Sequence, residues 1–401
     1  MNKRIIVAGA GFAGMWAAIS AARLVHLKNA DDQVDIFLVS PDPKLTIRPR
    51  LYEAVLENMD PSILEVLKAA NVKYIQGRVT DIDTKNKTIT VSKPDEETQV
   101  NFDSFVLAAG SQVFHPDLEG LKEYSFDVNS LEKAQELEQH LQDLAKEPDS
   151  QARNTVVVAG GGLTGLETAT EMPERLKWLF GSGCKPQVII VDNAARIGQA
   201  MGEKASDIIN QALASSGIAA RTGVRVSSIE ANGVTLSDGE FIPSKTVIWT
   251  AGMRASPLTR FIPGEHDLLG RVIGDSCLRA PEATGVYVTG DTVKVPTDND
   301  GNYNVMSCQH AMSLGRVAGH NAAAELLGLS LHPYSQPKYV TCLDLGKWGA
   351  VYTEGWDHQV VYQGEEAKKI KQEINTLWIY PPEPDREKMF SVANPDYIIV
   401  P

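Results

Sequence analysis

Arg4-Ile-Ile-Val-Ala-Gly-Ala-Gly-Phe-Ala-Gly14 is the stretch that decides the fold. Residues 4–8 are a short apolar run and predict a buried strand. Gly9, Gly11 and Gly14 follow in a G-x-G-x-x-G pattern, and an alanine-rich run to about Leu27 predicts a helix. Val34-Asp-Ile-Phe-Leu-Val39 predicts the next strand. A glycine pattern in that context reads as a dinucleotide loop. Gly9 permits the tight turn, Gly11 lets backbone approach a pyrophosphate, and Gly14 lets helix and strand pack closely. Phe12 and Ala13 open the helix, whose N-terminal N–H groups favour an anion.

The same order returns. Asn154-Thr-Val-Val-Val-Ala159 predicts a strand, Gly160-Gly-Gly-Leu-Thr-Gly165 the loop with Gly160, Gly162 and Gly165 in the three roles, and a helix runs through Glu167 towards Trp178. Val188-Ile-Ile-Val191 is the next strand. Gly9 and Gly160, Gly77 and Gly223, and Gly110 and Gly252 are separated by 151, 146 and 142 residues. Matched landmarks at nearly one spacing predict a duplicated nucleotide-binding unit, not a solenoid. The expected fold class is α/β, with two Rossmann-like dinucleotide-binding domains and a small α+β C-terminal domain. The expected boundaries are 1–150 with 253–330 for the first domain, 151–252 for the second and 331–401 for the third. Residues 131–153 read as a charged helix and a polar linker crossing between domains.

Acidic residues separate the two units. Asp192 closes the second unit's second strand, where a carboxylate accepts hydrogen bonds from a ribose and repels a 2′-phosphate. This predicts NADH over NADPH. The equivalent place in the first unit holds Ser40, a weaker acceptor, with Asp42 nearby as a substitute. Thr284-Gly-Val-Tyr-Val-Thr-Gly290-Asp291 is a strand ending in Gly290 and Asp291, whose carboxylate suits a polyol.

The chain has 401 residues, a formal net charge of −13 and 43% hydrophobic residues. Such acidity argues against nucleic acid and anionic membrane surfaces, which require basic patches. Cys184, Cys277, Cys308 and Cys342 form no C-x-x-C pair, so neither a metal site nor a disulfide framework is expected. No apolar stretch reaches the length of a membrane span, and the N-terminus lacks a signal-peptide pattern. The expected location is the cytoplasm.

These motifs resemble the two-dinucleotide-binding-domain flavoproteins of the pyridine nucleotide-disulfide oxidoreductase superfamily, and within them the type II NADH dehydrogenases. The matching segments are Gly9–Gly14, Gly77–Asp83, Ala108–Gly110, Gly160–Glu167, Val247–Pro257 and Thr284–Asp291. The resemblance implies FAD on Gly9, Gly11 and Gly14, with Val79 meeting the adenine through its backbone, Ala109 and Gly110 alongside, and Asp291 on the ribityl chain. It places Ile47-Arg48-Pro49-Arg50-Leu51-Tyr52 beside the flavin, so Arg48 or Arg50 would neutralise the pyrophosphate or the reduced flavin. It implies NADH on the second loop and Gly252, with Glu167 positioning the nicotinamide or relaying a proton. Gln309 and His310 would line the acceptor's face of the flavin.

Two departures bear on the acceptor. Family members that reduce quinones carry an Ala-Gln-x-x-x-Gln-Gln helix start, whereas this chain has Cys308-Gln309-His310-Ala311-Met312-Ser313-Leu314. The segment 364–374 has only a thin apolar face and runs into Pro381-Pro-Glu-Pro384, which argues against membrane anchoring there. The expected activity is hydride transfer from NADH to flavin, then electron transfer to a quinone-like or small organic acceptor. Alternatives are a soluble flavin-dependent reductase or oxygenase of specialised metabolism, and a slow-turnover NADH-binding redox sensor. No cysteine pair lies beside the first glycine loop, which excludes a dithiol relay of the thioredoxin-reductase kind. Cys308 and Cys342 lack a convincing upstream partner for sulfide chemistry. The C-terminal region has two candidate roles, pairing two copies of the chain or shielding the flavin.

Overall fold

The computed structural model describes residues 2–181 and 183–399. Met1 and the end of the expected C-terminal region, residues 400–401, lie outside the described residues.

Two five-stranded parallel sheets carry the fold. In the first, the spatial order is Val286–Val288, Ser104–Leu107, Lys3–Ala8, Val34–Ser40 and Lys73–Gln76. Ile6 stands between Phe37 and Phe105 in register. In the second, the order is Ile218–Thr222, Gln187–Asp192, Thr155–Ala159, Thr246–Trp249 and Ser125–Phe126. Both central strands are buried on both faces, which is why they read as unbroken apolar runs. Each feeds a glycine loop and a helix, Phe12–Leu27 and Leu163–Phe180. The FAD-type and NADH-type units expected from the repeat are thus two doubly wound α/β units. Each carries a small antiparallel three-stranded sheet: Arg78–Asp83, Thr88–Lys93 and Glu96–Asn101 in the first, Val226–Glu230, Gly233–Leu236 and Phe241–Pro243 in the second.

Residues 125–144 side with the second sheet although they precede the polar linker. Ser125 and Phe126 pair in parallel with Val247 and Ile248. The following helix, Leu131–Leu144, buries Ala134, Leu137, Leu141 and Leu144, a stripe at helical spacing. Leu137 and Leu141 share a core with Val156, Val158 and Leu166. The chain returns to the first unit through Met253–Ala255, which pairs antiparallel with Ser111–Val113.

The C-terminal region has an antiparallel sheet of Val340–Asp344, Ala350–Glu354 and Gln359–Gly364, followed by the helix Glu365–Glu373. Its last helix, Arg386–Val392, comes back to the first unit. There Arg23 Nε donates to the Phe390 carbonyl at 2.9 Å, and His26 faces the Phe390 ring.

The helix Cys308–Leu326 crosses Phe12–Leu27 at its small residues. A Cβ on Gly315 or Gly319 would overlap the carbonyl oxygens of Ala13 or Ala17, so only glycine lets the two backbones touch. Gly319→Ala should force the helices apart. Overpacking of this kind costs about 1–3 kcal/mol, and the denaturation midpoint should fall accordingly while a change at exposed Lys122 leaves it in place.

Candidate functional site

The two glycine loops repeat one geometry. Gly9 and Gly160 have φ of +118° and +115°, a region that favours glycine. A Cβ on Gly14 would overlap the Gly9 carbonyl oxygen, and one on Gly165 the Gly160 carbonyl oxygen. A Cβ on the middle glycines, Gly11 and Gly162, would meet nothing within 4 Å. The outer glycines are therefore filled by the protein, and the middle ones face open space. That space lies at a helix N-terminus, where N–H groups lack intrahelical partners. Both loops fit a dinucleotide pyrophosphate.

Around the first loop the fold gathers segments that are distant in sequence. Strand Val286–Val288 ends on Gly290, where a Cβ would stand 2.8 Å from the Ala13 side chain. Asp291 follows, its side chain 15% exposed. It accepts a 2.5 Å hydrogen bond from Ser111 Oγ and lies 3.8 Å from Arg48 Nη1. Burial pushes its carboxyl above the usual range, opposed by Ser111 and Arg48. Arg48 also donates to Asn129 Oδ1 at 2.5 Å. Gly110 leaves open space above the turn that leads to Ser111. Ser40 donates to the Asp42 carbonyl at 2.6 Å, which leaves its lone pairs as acceptors. Val79 is buried beside an irregularity in its strand pairing.

The two arginines separate. Arg50 is held away from Asp291 by a bidentate pair with Glu53, at 2.9 and 2.6 Å, and by Tyr380 Oη at 2.5 Å. Only Arg48 reaches the Asp291 cluster.

Around the second loop, Asp192 accepts from Gly161 N at 2.5 Å and from Ala194 N at 2.7 Å. The strand-end carboxylate is thereby fixed against the glycine loop. Arg196, a cation nearby in sequence, is paired with Asp207. Gly252 has φ +77° and faces the Phe114 side chain, over whose ring Arg254 stands at 4.1 Å.

Glu167 lies in the first turns of the second unit's helix, 7% exposed. It meets Lys371 Nζ at 2.7 Å and accepts from Asp344 N at 3.2 Å. Asp344 in turn accepts from Tyr52 Oη at 2.9 Å and from Lys368 Nζ at 2.6 Å. Burial raises the Glu167 carboxyl, against the pull of Lys371. Asp344, Lys368 and Lys371 are not anticipated by the sequence, and Tyr52 is anticipated only as the end of the loop beside the flavin. The lysines sit in a run, Glu365-Glu-Ala-Lys-Lys-Ile-Lys371, that reads as a solvated helix.

Gln309 and His310 open the helix Cys308–Leu326 and are buried. The Ser307 hydroxyl caps the helix by accepting from His310 N and lies 3.1 Å from His310 Nδ1. The imidazole packs on Tyr339 and Trp356, at centroid distances of 5.4 and 5.9 Å. Burial holds it neutral, with a pKa of about 4. All four thiols are free. Burial pushes Cys308 up to about 11 and Cys342 up to about 12, so both are protonated and poor nucleophiles. Among the described residues no cluster suits a metal ion, and no helix is long and apolar enough to cross a membrane.

Residues 3–315 match the pyridine nucleotide-disulphide oxidoreductase family. The chain belongs to this family. It is an oxidoreductase built for a pyridine nucleotide. A NADH dehydrogenase-like protein of Mycobacterium tuberculosis is 45% identical over 382 residues, 94% of each chain. A demethylphylloquinone reductase of Synechocystis is 29% identical over 357 residues, 87% of this chain and 86% of that one. A solved structure of NDH2 from Plasmodium falciparum in complex with NADH superposes with a TM-score of 0.79 at 14% identity, covering 98% and 97% of the two chains; this is a likeness of fold.

Lys371→Met strands the Glu167 carboxylate and should cost about 3–5 kcal/mol of stability; adding Glu167→Gln should recover most of it in a double-mutant cycle, whereas additive losses would refute the pairing. His310 titrates near 4 in the folded chain against an ordinary 6.5. On acidification the unfolded chain takes up this proton first, so stability is intact above pH 6.5 and falls as pH drops towards 4. His320, held near 4 by burial and then by His332, adds to the same slope. His310→Asn should flatten the melting-temperature profile in that window by one proton's share.

Proposed function

We propose that this chain is an FAD-dependent NADH dehydrogenase that passes electrons to a quinone-like or small organic acceptor. The observation that carries this reading is the doubled loop. Two open middle glycines, each at a helix N-terminus, are served by separate carboxylates, Asp291 for one and Asp192 for the other.

In this reading FAD lies on Gly9, Gly11 and Gly14, with Phe12 and Ala13 at the helix start, Ser40 towards the adenosine ribose, Val79 towards the adenine, and Ala109, Gly110, Gly290 and Asp291 along the ribityl side. Arg48, rather than Arg50, supplies the nearby positive charge. NADH lies on Gly160, Gly162, Gly165 and Gly252. Asp192, held by two backbone N–H groups, keeps a free face for the ribose hydroxyls and repels a 2′-phosphate. Residues 1–150 and 253–330 make up the flavin-binding part, with 125–144 packed beneath the second sheet, residues 151–252 the NADH-binding part, and residues 331–401 the C-terminal part, whose described residues cover Glu167 and His310. Free, unpaired thiols fit a reducing cytoplasm.

A bound flavin would supply the redox chemistry, accepting a hydride from NADH and passing two electrons onward. The chain's residues orient and exclude water. Glu167, tied to Lys371, can hold a proton at Oε2 because burial raises its carboxyl. The net reaction balances as NADH, a proton and a quinone giving NAD⁺ and a quinol. Gln309 and His310 face the acceptor's side. The 45% identity to a NADH dehydrogenase-like protein and the 29% identity to a demethylphylloquinone reductase support this direction.

Anaerobic titration of the purified protein with NADH tests the reading. The expected result is bleaching of the flavin band near one equivalent; a colourless protein, or a band that NADH leaves intact, overturns it. Asp192→Ser should raise the KM for NADH about tenfold or more and relax the rejection of NADPH, consistent with loss of charge-assisted hydrogen bonds. An unchanged NADH-to-NADPH ratio refutes the ribose assignment.

A further inference from the structure

The segment that follows the second unit's second strand folds back over its glycine loop. Asp192 accepts from Gly161 N and from Ala194 N, at 2.5 and 2.7 Å, and so turns the chain at once. Ile197, further along, is buried. A Cβ on Gly161 would stand 3.0 Å from Asp192 Oδ2 and 3.1 Å from Ile197 Cδ1. Both ends of 192–197 therefore meet at one residue of the loop. The helix Glu203–Ser215 anchors this curl, since Ser206 Oγ and Asn210 Nδ2 both donate to the Ile197 carbonyl, at 2.7 and 3.1 Å. Arg196 is the neighbour of a residue whose side chain meets the same point as the Asp192 carboxylate.

An arginine beside a ribose site favours a 2′-phosphate, because a guanidinium pairs with phosphate oxygens through two N–H groups. Here it is turned elsewhere. Arg196 Nη2 pairs with Asp207 Oδ1 on the helix Glu203–Ser215. A second arginine near the same strand end is also held. Arg221, beside Val191 in register, makes a bidentate pair with Glu240 at 2.8 and 2.9 Å. The two pairs differ in grip. Glu240 uses both oxygens. Asp207 uses one, and the side chains of Arg196 and Asp207 are 43% and 63% exposed. So exposed a pair biases its guanidinium without locking it. Arg196 is thus the arginine that one substitution sets free.

We propose that Asp207 is a positioning residue for coenzyme choice: it holds Arg196 towards the helix Glu203–Ser215, so that a 2′-phosphate meets the Asp192 carboxylate with no cation to receive it. The proposal rests on the NADH reading of the second loop and adds a second layer to it. Asp192 rejects the phosphate by repulsion. Asp207 rejects it by withholding the phosphate's partner and by adding a negative charge to the same rim. Removing Asp192 alone then leaves a site that tolerates a 2′-phosphate without gripping it. A ribose with a free 2′-OH needs no cation, so the pairing of Arg196 costs NADH nothing.

The test measures binding of 2′,5′-ADP and of 5′-ADP to the flavin-loaded full chain by calorimetry; the bound flavin keeps either ligand out of the first loop. Asp192→Ser is compared with Asp192→Ser/Asp207→Asn. The expected result is 2′,5′-ADP bound about fivefold tighter by the double variant, the scale of an exposed ion pair given over to a phosphate. The affinity for 5′-ADP should be the same in both. Adding Arg196→Gln should abolish the gain. No gain, or a gain that survives Arg196→Gln, overturns the role of Asp207 and leaves the NADH reading standing. Wild-type protein that binds neither 5′-ADP nor NADH sinks that reading and this proposal together. Asp207 is mostly in solvent, so its substitution leaves the fold in place. Should Asp192→Ser fail to fold, Asp192→Asn, which keeps an oxygen for the Gly161 N–H, takes its place.

Discussion

The contact of two helices through bare backbone is the constraint on which the first unit depends. Gly315 and Gly319 sit on the carbonyls of Ala13 and Ala17 with no room for a Cβ. The N-termini of Phe12–Leu27 and Cys308–Leu326 are thereby brought side by side. Gly290 fits against Ala13 with Ala311 just beyond, and so Asp291 is delivered to the mouth of the glycine loop. The residues that meet there, at positions 9–14, 48, 111 and 291, are distant in sequence. Their convergence follows from one close crossing and from the parallel order of five strands.

The second constraint is electrostatic. Glu167 and Lys371 are each less than a tenth exposed, and they come from the second unit and the C-terminal helix. Asp344 extends the pair to Lys368 and, through Tyr52, to the arginine loop of the first unit. A buried pair contributes little net stability when intact, since desolvation offsets the attraction. Its effect is positional: any arrangement that separates the three parts strands a charge in a dry interior. The C-terminal region is thus held in one pose by a carboxylate on the helix that follows the second loop.

How much of this was legible depends on where the constraint acts. Gly9, Gly14, Gly160 and Gly165 announce themselves because they answer to backbone sterics within six residues, and local sterics need no knowledge of the fold. Asp192 is legible for the same reason, as the end of a strand adjacent to its loop. Arg48 and Arg50 show the limit. Two residues apart in one loop, they are equivalent in sequence, and only Glu53 and Tyr380 decide that Arg50 turns away. Lys371 was hidden more deeply, because a lysine in a charged helical run carries no local sign that it will be buried by a glutamate about two hundred residues earlier. Residues 125–144 were placed by a composition shift at the linker, whereas strand pairing at Val247 and Ile248 decides their side.

His310 joins these strands of argument. In sequence it is one histidine at a helix start, where capping is the ordinary role, and the structure does give it a cap through Ser307. The cap explains only Nδ1. Ser307 is itself the N-cap of the helix, so His310 is not needed to begin it. The buried Nε2 without a partner is therefore the informative feature. Burial lowers its basicity and keeps the ring neutral across the physiological range. A neutral imidazole donates one hydrogen bond without bringing charge into the junction. That neutrality distinguishes this corner of the molecule from the ion-paired network around Glu167, where charge is what holds the pieces together.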